Sequence, residues 1–448
     1  MAHKISIIGA GSAVFSLGIV RDICLTPSLR GSTVSFMDID QGRLDAIHAL
    51  CSRYAQEIGI ELDLQKTTDR RESLNGADAV VNAALVAGHP RLRAGWEVAR
   101  RHGYRWGGSL HVMHDEAFWI NFYQLRLFDS LIQDILDVCP AAWYIQSANP
   151  VQAGITYLAR KYPQAKIVGL CHGYGGVYHI ARVLGLEREH LTFELPGVNH
   201  FIWLTKLFYK GQDAMPLLDQ WIAEQAPRYW QTCGPGNELG PEKVDLYRRT
   251  GAYPIGDTAG DGGGSWGWWY HADDATERRW KEQPGAFWQR FFDGGEREVA
   301  EIARISADTS IRVTEHFLPE LSGESIVPMI QALLCDTPRV ILSNIPNSGE
   351  YVPGIPRDFQ VEVPALVSKR GIQGIQTSGL PPAVLSHLLR DTVAPVNLEL
   401  AAYESGDRGL LLELLMQDPW TRSPEQAGAM LDGILALPFH GEMREHYR

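Results

Sequence analysis

The fold is decided by the stretch Ile5-Ser6-Ile7-Ile8-Gly9-Ala10-Gly11-Ser12, close to the amino terminus. A short, mostly apolar run is typical of a buried parallel strand, and this one leads straight into a glycine turn. Because glycine has no Cβ, the chain can turn tightly at Gly9 and its backbone can approach a pyrophosphate at Gly11. The N–H groups and the dipole of the following helix would attract that anion. The pattern predicts a dinucleotide site, although Val14 replaces the third glycine of the full motif.

A carboxylate at the end of the second predicted strand supports this interpretation. Asp38 follows the apolar run at 34–37, and it can accept hydrogen bonds from the ribose hydroxyls of NAD. A basic residue there would have favoured the 2′-phosphate of NADP. We therefore predict that NAD is the cofactor and that Gly9, Gly11, Ser12 and Asp38 bind it. The alternative is a tight strand-to-helix turn capped by Ser12, with an Asp that only ends a strand.

Apolar runs alternate with amphipathic segments throughout the first half of the chain. The predicted strands are Ile5 to Ile8, Val34 to Met37, Ala79 to Leu85, Trp143 to Ile145 and Ile167 to Leu170. The predicted helices include Gly42 to Ile58 and Phe118 to Val138, each with apolar residues at helical spacing. This alternation predicts an α/β fold with a Rossmann-type doubly wound parallel sheet and right-handed crossovers.

The character of the sequence changes at about Gly197. Short polar strands and a glycine-rich loop precede predicted helices at Pro382–Glu404, Gly409–Leu415 and Pro424–Leu435. We therefore predict a nucleotide-binding domain over residues 1–195. A second, mixed α/β domain over residues 196–448 would serve substrate, metal and oligomerisation. Packing of the final helices against the first domain is compatible with this division.

Composition and charge exclude several classes of function. The 448 residues are 45% hydrophobic and 21% charged, which is enough apolar material for a large core. Lys and Arg total 41 against 53 Asp and Glu, and the net charge of −12 argues against nucleic acid or an anionic membrane as partner. No long apolar stretch predicts a membrane span. Six dispersed cysteines without a CxxC pair favour a reducing, cytoplasmic location.

Two soft or borderline ligands follow strand-like segments. Cys171-His172-Gly173 comes directly after the predicted strand at 166–170, and His200 lies in Gly197-Val198-Asn199-His200-Phe201. A thiolate and an imidazole suit a divalent transition metal whose open positions substrate oxygens can complete. The alternative is that Cys171 is a buried strand end and His200 a core histidine with satisfied hydrogen bonds.

Several ordered segments together resemble glycoside hydrolase family 4, the NAD- and metal-dependent glycosidases. Besides the glycine turn and the Cys171 and His200 segments, they are Cys139-Pro140-Ala141-Ala142-Trp143, Ala148-Asn149-Pro150, Asn344-Ile345-Pro346-Asn347-Ser348-Gly349, Val361-Glu362-Val363-Pro364 and Gly379-Leu380-Pro381. The resemblance implies a lactate/malate-dehydrogenase-like Rossmann domain, a second α/β domain and a homodimer or homotetramer. It also implies Mn²⁺ or a similar ion held by Cys171 and His200, with Asn149 binding the sugar nearby.

The resemblance further implies a specific reaction. Transient oxidation at sugar carbon 3 acidifies the hydrogen on carbon 2, the glycosidic oxygen is eliminated, and water addition and reduction complete the turnover. Asp257 corresponds to the base of the α-glycosidase members, and His172 is a candidate for protonating the leaving group or orienting substrate. Many members of the family carry a His soon after the base. This chain lacks that His and has Asp261 a few residues later, so Asp261 stays an alternative base. The unusual segment at 106–115 offers His111 and His114 as further contacts.

The residues after the cysteine point to the sugar. Cys171-His172-Gly173-Tyr174 resembles the type associated with α-galacturonidases. A uronate needs a cationic partner, for which Arg91 and Arg93 are the candidates, unless they form a solvated helix face. A neutral α-galactoside or α-glucoside is the alternative substrate, and an NAD-dependent hydroxy-acid dehydrogenase is the rival enzyme. Trp266, Trp268 and Trp269 predict either a sugar-stacking platform or a local hydrophobic anchor.

Overall fold

The structure is a computed structural model, and it describes residues 2–86, 88–107, 117–260 and 267–448. The strands are β1 (Lys4–Ile8), β2 (Thr33–Met37), β3 (Asp63–Thr67), β4 (Ala79–Asn82), β5 (Trp143–Gln146), β6 (Ile167–Gly169), β7 (Leu191–Glu194), β8 (Gly197–Val198), β9 (Phe201–Leu204), β10 (Lys206–Tyr209), β11 (Gln212–Asp213), β12 (Tyr253–Ile255), β13 (Arg339–Pro346), β14 (Gln360–Ser368) and β15 (Gly371–Gly374).

Helices cover both faces of the sheet and form most of the carboxyl-terminal part. They are α1 (Ala13–Leu25), α2 (Gln41–Glu57), α3 (Arg70–Leu74), α4 (Gly88–Arg101), α5 (Phe118–Val138), α6 (Val151–Lys161), α7 (Gly175–Val183), α8 (Met215–Glu224), α9 (Ala226–Tyr229), α10 (Pro241–Thr250), α11 (Asp274–Trp280), α12 (Pro284–Ala307), α13 (Val313–His316), α14 (Ile326–Leu334), α15 (Pro382–Leu388), α16 (Ala394–Ser405), α17 (Arg408–Met416), α18 (Pro424–Leu435) and α19 (Gly441–His446). Within the described part of the chain, no helix has both the length and the apolar character that crossing a bilayer would require.

The first half of the chain forms the predicted Rossmann-type sheet. Its strands lie in the order β3-β2-β1-β4-β5-β6 and all pair in parallel, which is the strand order of dinucleotide-binding folds. The predicted fold class is therefore confirmed. The sequence analysis missed β3 because this edge strand is polar, with Asp63, Gln65 and Lys66 exposed, so it lacks the apolar run of a buried strand.

The main sheet continues into the second half of the chain. β13 pairs antiparallel with β6 and β14, β14 with β8, and β9 with β8 and β12. The prediction of short polar strands after Gly197 was wrong for this sheet, because β9 is wholly buried and β14 is nine residues long and largely buried. These strands are interior members of one large sheet rather than a solvated second one. The division of the chain at residue 195 stays a prediction.

The carboxyl-terminal helices pack back on the first half of the chain. Asn121 of α5 donates to Glu399 of α16 over 2.8 Å, and the Tyr123 hydroxyl donates to the carbonyl of Phe439 over 3.0 Å. The predicted helix at 382–404 is broken in the structure by a π-helical segment, Leu389–Val393, just before Pro395. A proline cannot donate the backbone hydrogen bond that a regular helix needs there.

Burial of His440 beneath these helices makes the stability of the fold depend on pH. Its ring Nδ1 lies 2.9 Å from the Tyr123 hydroxyl, and burial together with the nearby Arg91 and Arg444 lowers the pKa of His440 to about 4 from 6.5. As the pH falls below 6.5 the unfolded chain takes up this proton first, so stability is lost between about pH 6.5 and 4.

A His440→Gln variant therefore tests the burial of this ring. We expect its thermal unfolding midpoint to fall less than that of the unmodified chain between pH 7 and 4.5, since glutamine does not titrate. The exposed His190, replaced in the same way, is the control and should leave the pH profile unchanged. Parallel profiles for the His440→Gln variant and the unmodified chain would contradict the prediction.

Candidate active site

The glycine turn adopts the geometry expected of a dinucleotide-binding loop. Gly9 has a φ of +79°, and a Cβ there would lie 2.4 Å from Cα of Ala84, so the position requires glycine. The N–H of Gly11 donates to Asp38 Oδ2 over 2.7 Å, and the N–H of Asp40 donates to the other carboxylate oxygen over 2.9 Å. The structure thus brings Gly9, Gly11 and Asp38 together. Ser12 is exposed and precedes α1, but its side chain makes no capping hydrogen bond.

The turns after β4 and β5 are tied together by a residue that the sequence analysis missed. The Gln124 side chain, wholly buried on α5, donates to the carbonyl of Ala84 over 3.0 Å and to that of Asn149 over 2.7 Å. It also accepts from the N–H of Val86 over 2.8 Å. Asn149, which precedes a cis peptide bond to Pro150, is therefore held at the carboxyl edge of the parallel strands, beside the glycine turn.

Cys171 and His172 emerge at the same edge, directly after β6. The N–H of Leu170 donates to the carbonyl of Gln146 over 2.9 Å, which continues the parallel pairing up to the cysteine. The thiol of Cys171 is half-buried, and the His172 side chain is 54% exposed. His172 Nδ1 lies 3.3 Å from Glu324 Oε1, and the hydrogen bond to this carboxylate raises the pKa of the imidazole.

His200 lies in the turn between β8 and β9 and faces the turn that carries Asp257. Its backbone φ is +61°, an uncommon conformation for a residue other than glycine. His200 Nε2 lies 3.9 Å from Asp257 Oδ2, with the histidine side chain nearly buried and the carboxylate about half exposed. The Thr258 hydroxyl fixes the Asp257 turn to β9, accepting from the N–H and donating to the carbonyl of Ile202.

The turns carrying Cys171 and Asp257 are in direct contact. A Cβ on Gly256 would lie 2.8 Å from the carbonyl oxygen of Gly173, and a Cβ on Gly173 would lie 3.8 Å from the Cys171 sulfur. The turn of Asp257 therefore contacts both the turn of His200 and the turn that follows Cys171. Asp261 lies outside the described residues, as do His111, His114 and Trp266.

Four buried polar side chains stand behind the His200 turn. Asn199 donates from its backbone N–H to Gln360 over 3.2 Å and from its side chain to Glu362 over 3.3 Å, while Gln360 donates to Asn344 over 2.5 Å. Burial raises the pKa of Glu362 to about 7, although the hydrogen bond from Asn199 opposes this shift. Asn344 and Glu362 lie in segments that resemble the family, but no role was predicted for either residue. The signal that could have found them is the presence of polar residues within otherwise apolar strands.

The donor types at this site suit a divalent transition metal in an open coordination sphere. Within the described ranges, no three His, Cys, Asp or Glu side chains group closely enough to hold an ion by themselves. An ion held by Cys171 and His200 would therefore need further oxygen ligands from water or substrate. Such incomplete protein coordination is typical of catalytic rather than structural metal sites.

Arg91 and Arg93 make their contacts elsewhere. The Arg91 guanidinium lies 5.1 Å from the ring centre of Tyr123 and 5.4 Å from that of Phe439. Arg93 lies over the ring of Phe292 and pairs with Glu97. None of these contacts among the described residues joins either arginine to Cys171, His200 or Asp257. Their role in binding a uronate stays a prediction.

The described part of the tryptophan cluster is packed against other aromatic rings. Trp268 lies 5.8 Å from Trp420, and Trp269 lies 5.9 Å from His387, measured between ring centres. Both tryptophans are half-buried. These contacts favour the hydrophobic-anchor interpretation over a sugar-stacking platform.

Comparison with known protein families decides the assignment. The family 4 glycosyl hydrolase model matches residues 4–186, and the model of the family 4 glycosyl hydrolase C-terminal domain matches residues 195–421. The chain belongs to glycosyl hydrolase family 4. It is a glycosidase, and the rival assignment as a hydroxy-acid dehydrogenase is thereby set aside.

Individual family 4 relatives match nearly the whole chain. An alpha-glucosidase of Erwinia rhapontici is 24% identical, covering 93% of this chain and 94% of that protein. An alpha-galacturonidase of Thermoanaerobacterium saccharolyticum is 27% identical, covering 93% and 92%. A 6-phospho-alpha-glucosidase from gut microorganisms, solved in complex with NAD and Mn²⁺, has a TM-score of 0.79 at 18% identity, covering 97% and 98%. This last likeness concerns the fold alone.

The Gly9 turn yields a prediction that does not depend on the reaction. We expect Gly9→Ala to lower the free energy of unfolding by about 2–4 kcal/mol, because alanine is strained at this positive φ and its Cβ would collide with Ala84. Gly18→Ala is the control, because its Cβ would meet nothing within 4 Å. A helical glycine replaced by alanine should instead add about 0.5–1 kcal/mol. Equal urea unfolding curves for the two variants would contradict the prediction.

Proposed function

We propose that this chain is an NAD- and divalent-metal-dependent α-glycosidase whose best substrate is an α-galacturonide. The observation that carries the proposal is that the turn of Asp257 contacts both the turn of His200 and the turn that follows Cys171. His200 Nε2 lies 3.9 Å from Asp257 Oδ2, and Gly256 packs against the carbonyl of Gly173, two residues after Cys171. Cys171 itself follows β6 at the carboxyl edge of the parallel strands, where ligands of doubly wound folds bind.

The residues that would hold the two cofactors fit them. Gly9, Gly11, Ser12 and Asp38 would hold NAD, and Cys171 and His200 would hold the metal. When bound, NAD supplies a reversible hydride acceptor for sugar carbon 3, and the metal supplies a Lewis acid for the oxygen on that carbon.

The chain's own side chains would carry the proton transfers. The carboxylate of Asp257, about half exposed, would accept the proton from sugar carbon 2. His172, whose pKa is raised by Glu324, would donate a proton to the departing glycosidic oxygen. Asn149 would orient the sugar from the neighbouring strand end. Water at carbon 1 and a proton at carbon 2 would then add across the double bond, and with the hydride given back to carbon 3 the net reaction would be hydrolysis.

Two observations support a uronate as the sugar. Cys171-His172-Gly173-Tyr174 resembles the galacturonidase type, and an alpha-galacturonidase is among the relatives that span the chain. The competing candidate is a neutral α-galactoside or α-glucoside, which is favoured by the engagement of Arg91 and Arg93 with other rings.

Two properties of the whole molecule complete the proposal. We propose that the chain assembles as a homodimer or homotetramer and acts in the cytoplasm, as expected from the family resemblance and the cysteine content.

Hydrolysis of three p-nitrophenyl glycosides tests the substrate and the metal. With NAD and Mn²⁺ under reducing conditions, we expect the α-galacturonide to give a higher kcat/KM than the α-galactoside or the α-glucoside, without net accumulation of NADH. Cys171→Ser or EDTA should abolish activity, whereas Cys233→Ser, a half-buried thiol outside the site, should retain it. Equal or better cleavage of a neutral sugar refutes the uronate assignment, and activity that survives EDTA refutes the metal.

Replacement of each aspartate separately identifies the base. We expect Asp257→Asn to lower kcat by about 10²–10⁴ with little change in KM, because an amide cannot accept the proton. Asp261→Asn should leave kcat close to that of the unmodified enzyme. The reverse pattern in steady-state kinetics would transfer the role of base to Asp261.

A further inference from the structure

A buried ion pair lies directly behind the turn that carries Asp257. Lys243, on α10, has a side chain that is only 2% exposed, and the Glu238 side chain is 12% exposed. Lys243 Nζ donates to Glu238 Oε2 over 2.9 Å. Neither residue belongs to the proposed proton-transfer set, and lysine is seldom buried unless it is paired.

Both members of the pair hold the peptide groups of Gly256. The N–H of Gly256 donates to Glu238 Oε1 over 2.8 Å, and Lys243 Nζ donates to the carbonyl oxygen of Gly256 over 2.9 Å. Gly256 itself has a φ of +59° and lies against the carbonyl of Gly173. Hydrogen bonds therefore fix both the N–H and the carbonyl group of Gly256, the residue immediately before Asp257.

The same glutamate also contacts the helix that follows the cysteine turn. A Cβ on Gly176, at the start of α7, would lie 2.4 Å from Glu238 Oε1. The Tyr253 hydroxyl, on β12, donates to the backbone carbonyl of Glu238 over 2.9 Å. Glu238 thus lies between the segment that carries Asp257 and the segment that follows Cys171 and His172.

Such a pair is poorly explained by stability alone. Removing two charges from water is costly, and apolar replacements of similar volume are often equally stable. Hydrogen bonds from fully buried charged groups are, however, short and directional, so they define a single position for the group they hold.

We propose that Glu238 and Lys243 are positioning residues that hold the Gly256 peptide and thereby place the Asp257 carboxylate against sugar carbon 2. This inference rests on the proposed role of Asp257 as the base. A displacement of about 1 Å in a reacting group can cost about 100-fold in rate. Loss of the hydrogen bonds from Glu238 and Lys243 to Gly256 (the clamp) should therefore slow proton removal from carbon 2 without weakening substrate binding.

The test uses the double variant Glu238→Gln with Lys243→Met, which leaves no unpaired buried charge. The substrate is the p-nitrophenyl α-glycoside that the enzyme cleaves fastest, deuterated at carbon 2 or at carbon 3. We expect kcat to fall by about 10–100-fold with KM within about twofold. The isotope effect from carbon 2 should rise and that from carbon 3 should fall, because proton removal becomes more rate-limiting.

The matched control is Asp129→Asn with Lys161→Met, a Lys–carboxylate pair between α5 and α6 whose nitrogen and oxygen are 2.7 Å apart. We expect it to keep kcat and both isotope effects. A double variant with lowered kcat but unchanged isotope effects would overturn the proposal, because loss of folded enzyme reduces the rate without changing which step limits it. An equal loss of kcat in the control pair would overturn it as well.

Two further measurements cover the remaining outcomes. If the double variant does not fold, Glu238→Gln alone keeps an oxygen acceptor for Gly256 and should show the same isotope pattern with a smaller loss of kcat. If neither the unmodified enzyme nor the Asp257→Asn variant shows an isotope effect from carbon 2, the proposed role of Asp257 fails. Crystal structures then decide on the clamp itself, since an unchanged distance between Asp257 and His200 in the variant would overturn it.

Discussion

The antiparallel pairing of Asn344 in β13 with Gly169 in β6 is the contact on which the site depends. β6 is the last parallel strand of the Rossmann order, and it leads directly to Cys171. Through β13 the sheet continues to β14, β8, β9 and β12. The turn between β8 and β9 carries His200, and the turn after β12 carries Asp257. Backbone hydrogen bonds across one sheet therefore set the distance between residues that are far apart in sequence. A break in the sheet at β6 would separate the thiol from the imidazole and the carboxylate.

Buried polar groups, rather than apolar packing, fix the turns that meet in the site. Behind His200, the Asn199 side chain and backbone are held by Glu362 and Gln360, both almost fully buried. Behind Asp257, the neighbouring peptide is held by Lys243 and Glu238. The backbone has a positive φ at His200 and at Gly256, a conformation that is uncommon for histidine and readily adopted by glycine. Directional hydrogen bonds in the interior fix the backbone at these two places, because a buried donor or acceptor without a partner costs free energy.

The sequence predicted those parts of the molecule whose signal is local. β1, β2, β5 and β6 stand out as short apolar runs, and Gly9 and Asp38 follow two of them. β3 was missed because this edge strand is polar and has no fully buried residue. The interior position of β9 depends on pairings with strands far along the chain. Lys243 and Glu238 gave no signal, because charged residues are ordinarily solvated. The position of Arg91 and Arg93 in the sequence likewise could not reveal that their guanidinium groups lie over the rings of Tyr123 and Phe292, respectively.

The charges around the proposed site bear on which sugar it binds. A divalent ion would be balanced by a thiolate at Cys171 and the carboxylate of Asp257, and Glu324 lies 3.3 Å from His172 Nδ1. A neutral sugar leaves that balance intact, whereas a galacturonide adds one negative charge to a protein that already carries −12. Arg188 is a cation whose charge does reach His172, where it opposes the rise in the pKa of the imidazole, and its guanidinium lies 3.9 Å from the ring centre of Tyr178. Recognition of a uronate would therefore need a cation close to the sugar: Arg188 is a candidate on the His172 side of the site, and the role of Arg91 and Arg93 stays a prediction.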